Sequence, residues 1–253
     1  MAVKVSVLMS VYDPEWEYLR LTLDSLSGQS YRDFELVLVN DGADDEKLGM
    51  LLRDYSFDVV LVKNPVNLGL PGALNEGLKK CTGEYIARID DDDIMETGRL
   101  EAQVAFMEEH PDILSLSSGY TIIDEDGREI GVNTYDRLRD LKGTLLYKGN
   151  CLCHSTLFAR KSALEEIGGY DQKMTYAQDY DLYLRLIRKG KIHVIPDKLI
   201  KFRSAPGRIS RNKRILSTLF SYYASLKNMD GFEAKIFWRR AVITLRQLYV
   251  NLK

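Results

Sequence analysis

Gly83-Glu84-Tyr85-Ile86-Ala87-Arg88-Ile89-Asp90-Asp91-Asp92-Asp93 joins an apolar run to four consecutive aspartates. Tyr85 to Ile89 reads as a buried strand, so the negative charge collects at a strand's carboxyl end, where open α/β sheets gather their ligands. In an extended chain alternate side chains share a face, which predicts Asp90 and Asp92 on one side and Asp91 and Asp93 on the other. Two carboxylates on one face suit a hard divalent cation, Mg²⁺ or Mn²⁺, whose remaining positions go to water and substrate phosphate oxygens. A phosphorylated substrate follows. A solvated acidic loop is the plainer alternative, and the position after a strand is what argues against it. An EF-hand is excluded, because its loop needs Gly sixth and Met95 stands sixth from Asp90.

Three more apolar runs precede this one: Val3 to Val11, Phe34 to Val39 and Val59 to Val62. All read as parallel strands covered on both faces. Helical patterns at Glu15 to Leu26, Glu46 to Tyr55 and Gly72 to Lys80 separate them. This βαβ alternation predicts an α/β fold with a right-handed, mostly parallel, Rossmann-like sheet up to about residue 98. Past Arg99 the pattern mixes. A helix at Arg99 to His110 leads to a strand at Ile113 to Ile123, reversed by Asp124-Glu125-Asp126-Gly127 into a strand at Arg128 to Val132. Further strands are predicted at Ser155 to Ala159, Lys191 to Ile195 and Leu199 to Phe202, and helices at Lys161 to Ile167 and Tyr180 to Lys189. No repeat or linker divides the chain, so residues 1–210 form one domain: 1–98 as a nucleotide-binding-like half and 99–210 as a mixed half.

A chain of 253 residues, 45% hydrophobic, can bury a sizeable core. Cys81, Cys151 and Cys153 are too few for a zinc site or a disulfide framework and read as reduced thiols. There is no signal-peptide pattern and no apolar stretch of the ~18 residues needed to span a bilayer. A cytoplasmic protein is expected. The net charge of −2 hides an asymmetry: residues 201–253 carry twelve basic and two acidic residues, net +10, and the rest 23 basic and 35 acidic, net −12. Within residues 211–253, Ile215 to Leu226 and Phe232 to Leu252 have the spacing of basic amphipathic helices, which can lie on an anionic membrane or pack on the core. The acidic remainder argues against nucleic acid.

Other candidates are weaker singly. Asn40-Asp41-Gly42 closes the second strand, where a carboxylate could accept the imide N–H of a uracil, or simply form an Asx turn. Tyr12 could stack on a base or line the rim. Asn67-Leu68-Gly69 and Pro71-Gly72 form a loop that could approach a phosphate. It has neither the P-loop spacing nor G-x-G-x-x-G. Asp179 opens a helix, as a cap or as a general base.

In order, Ser6 to Tyr12, Phe34 to Gly42, Asn67 to Leu70 with Leu74-Asn75, Gly83 to Asp93 and Gln178-Asp179-Tyr180-Asp181 resemble family 2 glycosyltransferases of the GT-A fold, over roughly residues 3 to 210. The resemblance implies an inverting transferase that moves a sugar from a nucleotide-diphosphate donor to a hydroxyl of a saccharide or lipid-linked acceptor, in cell-surface polysaccharide synthesis. It assigns Tyr12, Asp41, Asn67, Asp90 and Asp91 to the nucleotide, Asp90 and Asp92 to a Mn²⁺ or Mg²⁺ cofactor, Asp179 to the catalytic base and His154 to the acceptor side. Asp41 favours UDP over dTDP and GDP. Ser10, Asp91 and Ala205 depart from the family's commoner proline, alanine and histidine, and Ala205 weakens the case for a third protein ligand. Two other classes stay open: a sugar nucleotidyltransferase, disfavoured because Ser10-Val11-Tyr12-Asp13-Pro14 stands where a glycine-rich loop would, and a non-catalytic nucleotide- or sugar-binding module.

Overall fold

The apolar runs of the first half become four parallel strands: β1 (Val5–Val11), β2 (Phe34–Asn40), β3 (Asp58–Lys63) and β4 (Tyr85–Arg88). The helices between them are α1 (Trp16–Ser27), α2 (Asp45–Leu52) and α3 (Gly69–Leu78). This computed structural model describes residues 3–135, 140–204, 214–228 and 242. Strand alternation splits the core into two layers. Val5, Val7, Met9 and Val11 pack with Leu19, Leu23 and Leu26 of α1, whereas Leu8 points the other way, into a layer with Leu74 and Leu78 of α3. Each fully buried leucine contributes about 1.5–3 kcal/mol relative to exposure. β3 forms the sheet's edge, paired among the described residues only with β2; Val59 and Leu61 pack against the first layer and Val60 and Val62 against the second, all half-buried.

The second half continues the same sheet with mixed strand directions. Its elements are β5 (Ile94–Met95), α4 (Arg99–Glu109), β6 (Ile113–Ile123), β7 (Glu129–Asn133), α5 (Leu141–Lys148), a 3-10 turn (His154–Thr156), β8 (Phe158–Arg160), α6 (Lys161–Glu166), α7 (Gln178–Lys189), β9 (Lys191–Arg203) and α8 (Arg214–Lys227). Among the described residues the order is β3-β2-β1-β4-β8-β6-β9-β5, with β7 on β6. β8 runs antiparallel to both β4 and β6, and β5 antiparallel to β9. The predicted strand Ser155 to Ala159 is therefore shorter and later. Its first residues form the 3-10 turn that carries Ser155 beside the end of β4.

The two strands predicted at Lys191 to Ile195 and Leu199 to Phe202 are one bent strand. Pro196 has no N–H for the ladder, and β9 takes it up with register shifts opposite Ser118, Gly119 and Tyr120. Gly119 permits the bend: a Cβ there would sit 2.5 Å from the Pro196 carbonyl oxygen and 2.9 Å from that of Asn133. The bend brings Arg203 back against the acidic run. α5 and the two-residue β5 were not legible as elements. Ala205, the segment around residue 210 and all but residue 242 of the predicted Phe232 to Leu252 helix lie outside the described residues.

Candidate active site

β4 ends at Arg88, so the acidic run is not extended: residues 91 and 92 form a turn that leads into β5. The predicted alternation fails with it. Asp93, expected on the far side, joins Asp90 and Asp92, and oxygens of all three carboxylates lie within 4.8 Å of one another. Three hard oxygen donors this close fit Mg²⁺ or Mn²⁺ and would suit no soft metal. Asp90 and Asp92 are partly exposed, while Asp93 is wholly buried. The Asp93 carboxylate accepts from the Arg203 backbone N–H at 2.8 Å and from the Ser155 hydroxyl, which fixes the back of the turn. Asp91 is not one of this trio. Burial, reinforced by the charges of Asp90 and Asp92, pushes its carboxyl up to about 7.

Three elements hold the turn, two of them by its backbone. The Thr22 hydroxyl of α1 lies 2.7 Å from the Asp93 carbonyl and 3.0 Å from that of Asp91. Arg203 donates from Nε to the Asp92 carbonyl at 3.0 Å while its guanidinium stacks 4.1 Å from the Tyr18 ring. From inside the sheet, Arg88 donates to the Asp90 carboxylate and, at 3.0 Å, to Ser155. Sequence reading missed Arg88, Asp93, Ser155 and Arg203. For Arg88 the signal was present: a lone arginine inside a buried strand, next to four acids, needs a partner there.

The Asn40-Asp41-Gly42 corner sits at the carboxyl end of β2. Asp41 is 2% exposed, and its Oδ1 accepts from Asn64 Nδ2 at 2.7 Å and from the Leu68 N–H at 2.9 Å. It thereby ties down the loop that precedes α3. Tyr12 stands beside it at 61% exposure, its ring laid over Gly42, where a Cβ would meet the ring at 2.6 Å. Gly42 also adopts φ +145°, which side-chain-bearing residues rarely hold. An exposed aromatic face beside a buried carboxylate is thus built into the corner. Asn67 is exposed and caps its own loop, accepting from the Gly69 N–H at 2.8 Å.

Asp179 is the second residue of α7, not its cap; the capping position is Ala177, at φ 57° and without a side-chain cap. Its Oδ1 accepts the Tyr180 N–H at 2.8 Å and its Oδ2 accepts Asn150 Nδ2 at 2.6 Å. Burial raises its carboxyl above the usual aspartate range, against the opposing pull of the Tyr180 N–H and of Arg88, and it also feels Asp90. His154 is placed differently from the acceptor-side expectation. It is 8% exposed, with Nε2 2.8 Å from the Tyr170 hydroxyl. Burial, with Arg88 nearby, lowers its pKa well below the ordinary value and keeps the ring neutral. Tyr170 is itself clamped by Asn75, which donates to its carbonyl at 2.7 Å and accepts from its N–H at 2.8 Å. The imidazole therefore packs against Tyr170, largely shielded from solvent.

Comparisons with known proteins bear on the family and the fold. An uncharacterized glycosyltransferase, MJ1057, of Methanocaldococcus jannaschii is 31% identical over 93% of this chain and 84% of its own length. The amylovoran biosynthesis glycosyltransferase AmsE of Erwinia amylovora is 32% identical over 82% and 79%. Among solved structures, residues 1–349 of S. aureus TarS in complex with UDP-GlcNAc superpose with TM-score 0.70 at 21% identity, over 92% of this chain and 69% of that one; the chain spans 39% of a longer TarS structure. The mannosyltransferase PcManGT of Pyrobaculum calidifontis, in complex with GDP-Man and Mn²⁺, superposes with TM-score 0.70 at 19% identity, over 91% and 66%. These likenesses establish the shared GT-A architecture. The glycosyl transferase family 2 model matches residues 6–168, from β1 through the acidic turn to the end of α6, and the chain belongs to that family.

Proposed function

We propose that this chain is an inverting transferase that moves a sugar from a nucleotide-diphosphate donor, UDP-linked in first place, to a hydroxyl of a saccharide or lipid-linked acceptor in polysaccharide synthesis. The observation that carries this reading is the acidic turn, where carboxylate oxygens of Asp90, Asp92 and Asp93 lie within 4.8 Å of one another at the end of β4, with Asp179 of α7 near enough to feel the charges of Arg88 and Asp90. A Mg²⁺ or Mn²⁺ ion bound by Asp90 and Asp92 would neutralise charge on the departing diphosphate. The protein then needs no general acid on the leaving-group side, unlike a two-carboxylate hydrolase. Asp179, whose carboxyl burial makes more basic, takes the proton from the attacking hydroxyl. Attack opposite the leaving diphosphate inverts the anomeric carbon. Tyr12 and Asp41 form the base-binding corner, and Asn67 with Asp91 flank the path of the nucleotide.

The names of relatives support the pathway class: AmsE, and the O-antigen biosynthesis glycosyltransferase WbnJ of Escherichia coli at 32% identity over 73% of this chain. TarS with UDP-GlcNAc supports a UDP-linked donor, whereas PcManGT with GDP-Man shows that the fold also serves guanine nucleotides. Calorimetric titration with UDP, dTDP and GDP, each with Mn²⁺ and with EDTA, separates these. Mn²⁺-dependent binding of UDP ahead of the others is expected. If no nucleotide binds under either condition, the acidic turn is not a diphosphate site.

A membrane-facing acceptor is supported by α8. Ile215, Leu216, Leu219, Tyr223 and Leu226 are 41–59% exposed, and at about 100° per residue they share one arc of roughly 100°. The opposite face is anchored, with Ala224 and Phe220 packed against the second core layer. Asn228, just past the helix, and Lys227 each reach Asp181 at 3.0 Å, and Ser225 lies 3.0 Å from the Tyr180 hydroxyl. The helix thus turns an apolar stripe outward, within a region of net charge +10, and the partner that matches both is an anionic bilayer surface. No described helix is long and apolar enough to cross a membrane. Sedimentation with phosphatidylglycerol vesicles should be strong for wild type and fall several-fold for Leu219→Glu, with little sedimentation on neutral vesicles. Equal sedimentation of the two proteins would remove the stripe from membrane binding.

A further inference from the structure

Arg88 is 1% exposed, and the carboxylate that it meets, Asp90, is 29% exposed. The guanidinium approaches Asp90 from inside the sheet, so the open side of the carboxylate is left to a ligand. Ser155 closes the arrangement. Its hydroxyl accepts from Arg88 Nη1 at 3.0 Å and from the Asp90 N–H at 3.2 Å while donating to Asp93, which uses both its lone pairs and its proton. Burial works against the Arg88 charge, but Asp90 and Asp93 more than offset it, so the guanidinium stays cationic. Its Nε has no hydrogen-bond partner.

We propose that Arg88 is the acidic turn's resident counter-charge: it keeps the bare site a weak cation site, so that Mg²⁺ or Mn²⁺ is held only together with a nucleotide diphosphate. This rests on the reading of Asp90 and Asp92 as cation ligands. The electrostatics give the sign. Three clustered carboxylates, one of them, Asp90, paired to a buried cation, attract a divalent ion less strongly than they would without that cation. A bound diphosphate adds negative charge and restores the balance, and by linkage the ion and the nucleotide strengthen each other's binding equally. Arg88 is a positioning residue in this account. It touches neither donor nor acceptor.

The alternative, that Arg88 merely props Asp90 in place, predicts the opposite sign. Titration of MnCl₂ into wild type, Arg88→Met and Arg88→Lys, without nucleotide and with saturating UDP, decides between them. Folding of each variant is checked by circular dichroism. Arg88→Met should bind Mn²⁺ without nucleotide about tenfold tighter than wild type, about 1.4 kcal/mol. Arg88→Lys, which keeps the charge, should stay within about threefold of wild type. Mn²⁺ binding that is unchanged or weaker in folded Arg88→Met overturns the proposal and leaves the cation site standing. Absence of Mn²⁺ binding in all three proteins, even with UDP, overturns the cation site itself and the proposal with it. Should Arg88→Met fail to fold, the wild-type Arg88 Nε–H resonance, assigned by its loss in Arg88→Lys, serves instead. It should shift on addition of Mg²⁺ with UDP, and an unmoved resonance at saturation overturns the proposal.

Discussion

Asp179→Asn is expected to lower kcat about 10³-fold, a loss of about 4 kcal/mol in transition-state stabilisation, while leaving UDP affinity within about twofold. Asn is close in shape to Asp, and its amide oxygen can keep the 2.6 Å contact with Asn150 at the expense of the one with the Tyr180 N–H, so a loss of this size reports the proton acceptor and not the architecture. The pH profile sharpens the test. Burial raises the Asp179 carboxyl, and a base works only when ionised. Wild-type kcat/KM should therefore fall on acidification through an apparent pKa above the ordinary aspartate value of about 3.9, and the residual rate of the variant should lack that limb. A kcat within tenfold of wild type would place the base elsewhere.

Asp92→Ala is expected to weaken UDP binding in the presence of Mn²⁺ by about 100-fold or more. Loss of a group that merely supports a ligand typically costs 10–100-fold in metal affinity, so loss of a direct ligand should reach the upper end. The turn itself should survive, because Arg203 grips the backbone carbonyl of Asp92 and not its side chain. EDTA completes a thermodynamic cycle: it should weaken wild-type binding by a similar factor and leave the variant unchanged. Wild-type binding indifferent to EDTA would mean that the nucleotide is held without the ion.

The strand-helix alternation to residue 98 was legible because apolar runs and amphipathic stripes are local patterns, and β1, β2, β4 and α1 fall within two residues of their predicted bounds. The mixed half was harder. A strand such as β9, carrying Pro196, reads as two pieces in sequence because only its neighbour's Gly119 makes room for the bend. The acidic run was legible in composition as a cluster of carboxylates able to hold a cation, but not in geometry. Alternation assumed that β4 continued, whereas the chain turns at residues 91 and 92 under the hold of Thr22 and Arg203, which are distant in sequence. His154 shows the same limit: its chemistry is readable, but its burial against Tyr170 depends on a loop sixteen residues away.

By itself the sequence determined the layered α/β core, the concentration of carboxylates at a strand end, the early corner of Tyr12 and Asp41, and the basic end of the chain, since each follows from residue type and short-range spacing. Tertiary structure alone decided which carboxylates meet, what stands behind them and which face of α8 turns outward. Asp93 joins Asp90 and Asp92, Arg88 supplies the buried counter-charge, and Asp179 arrives from α7, some ninety residues away. The physical reason is that a site's electrostatics depend on distances through space and on burial, and both are set when the sheet brings β4, the 3-10 turn, α7 and β9 to one edge.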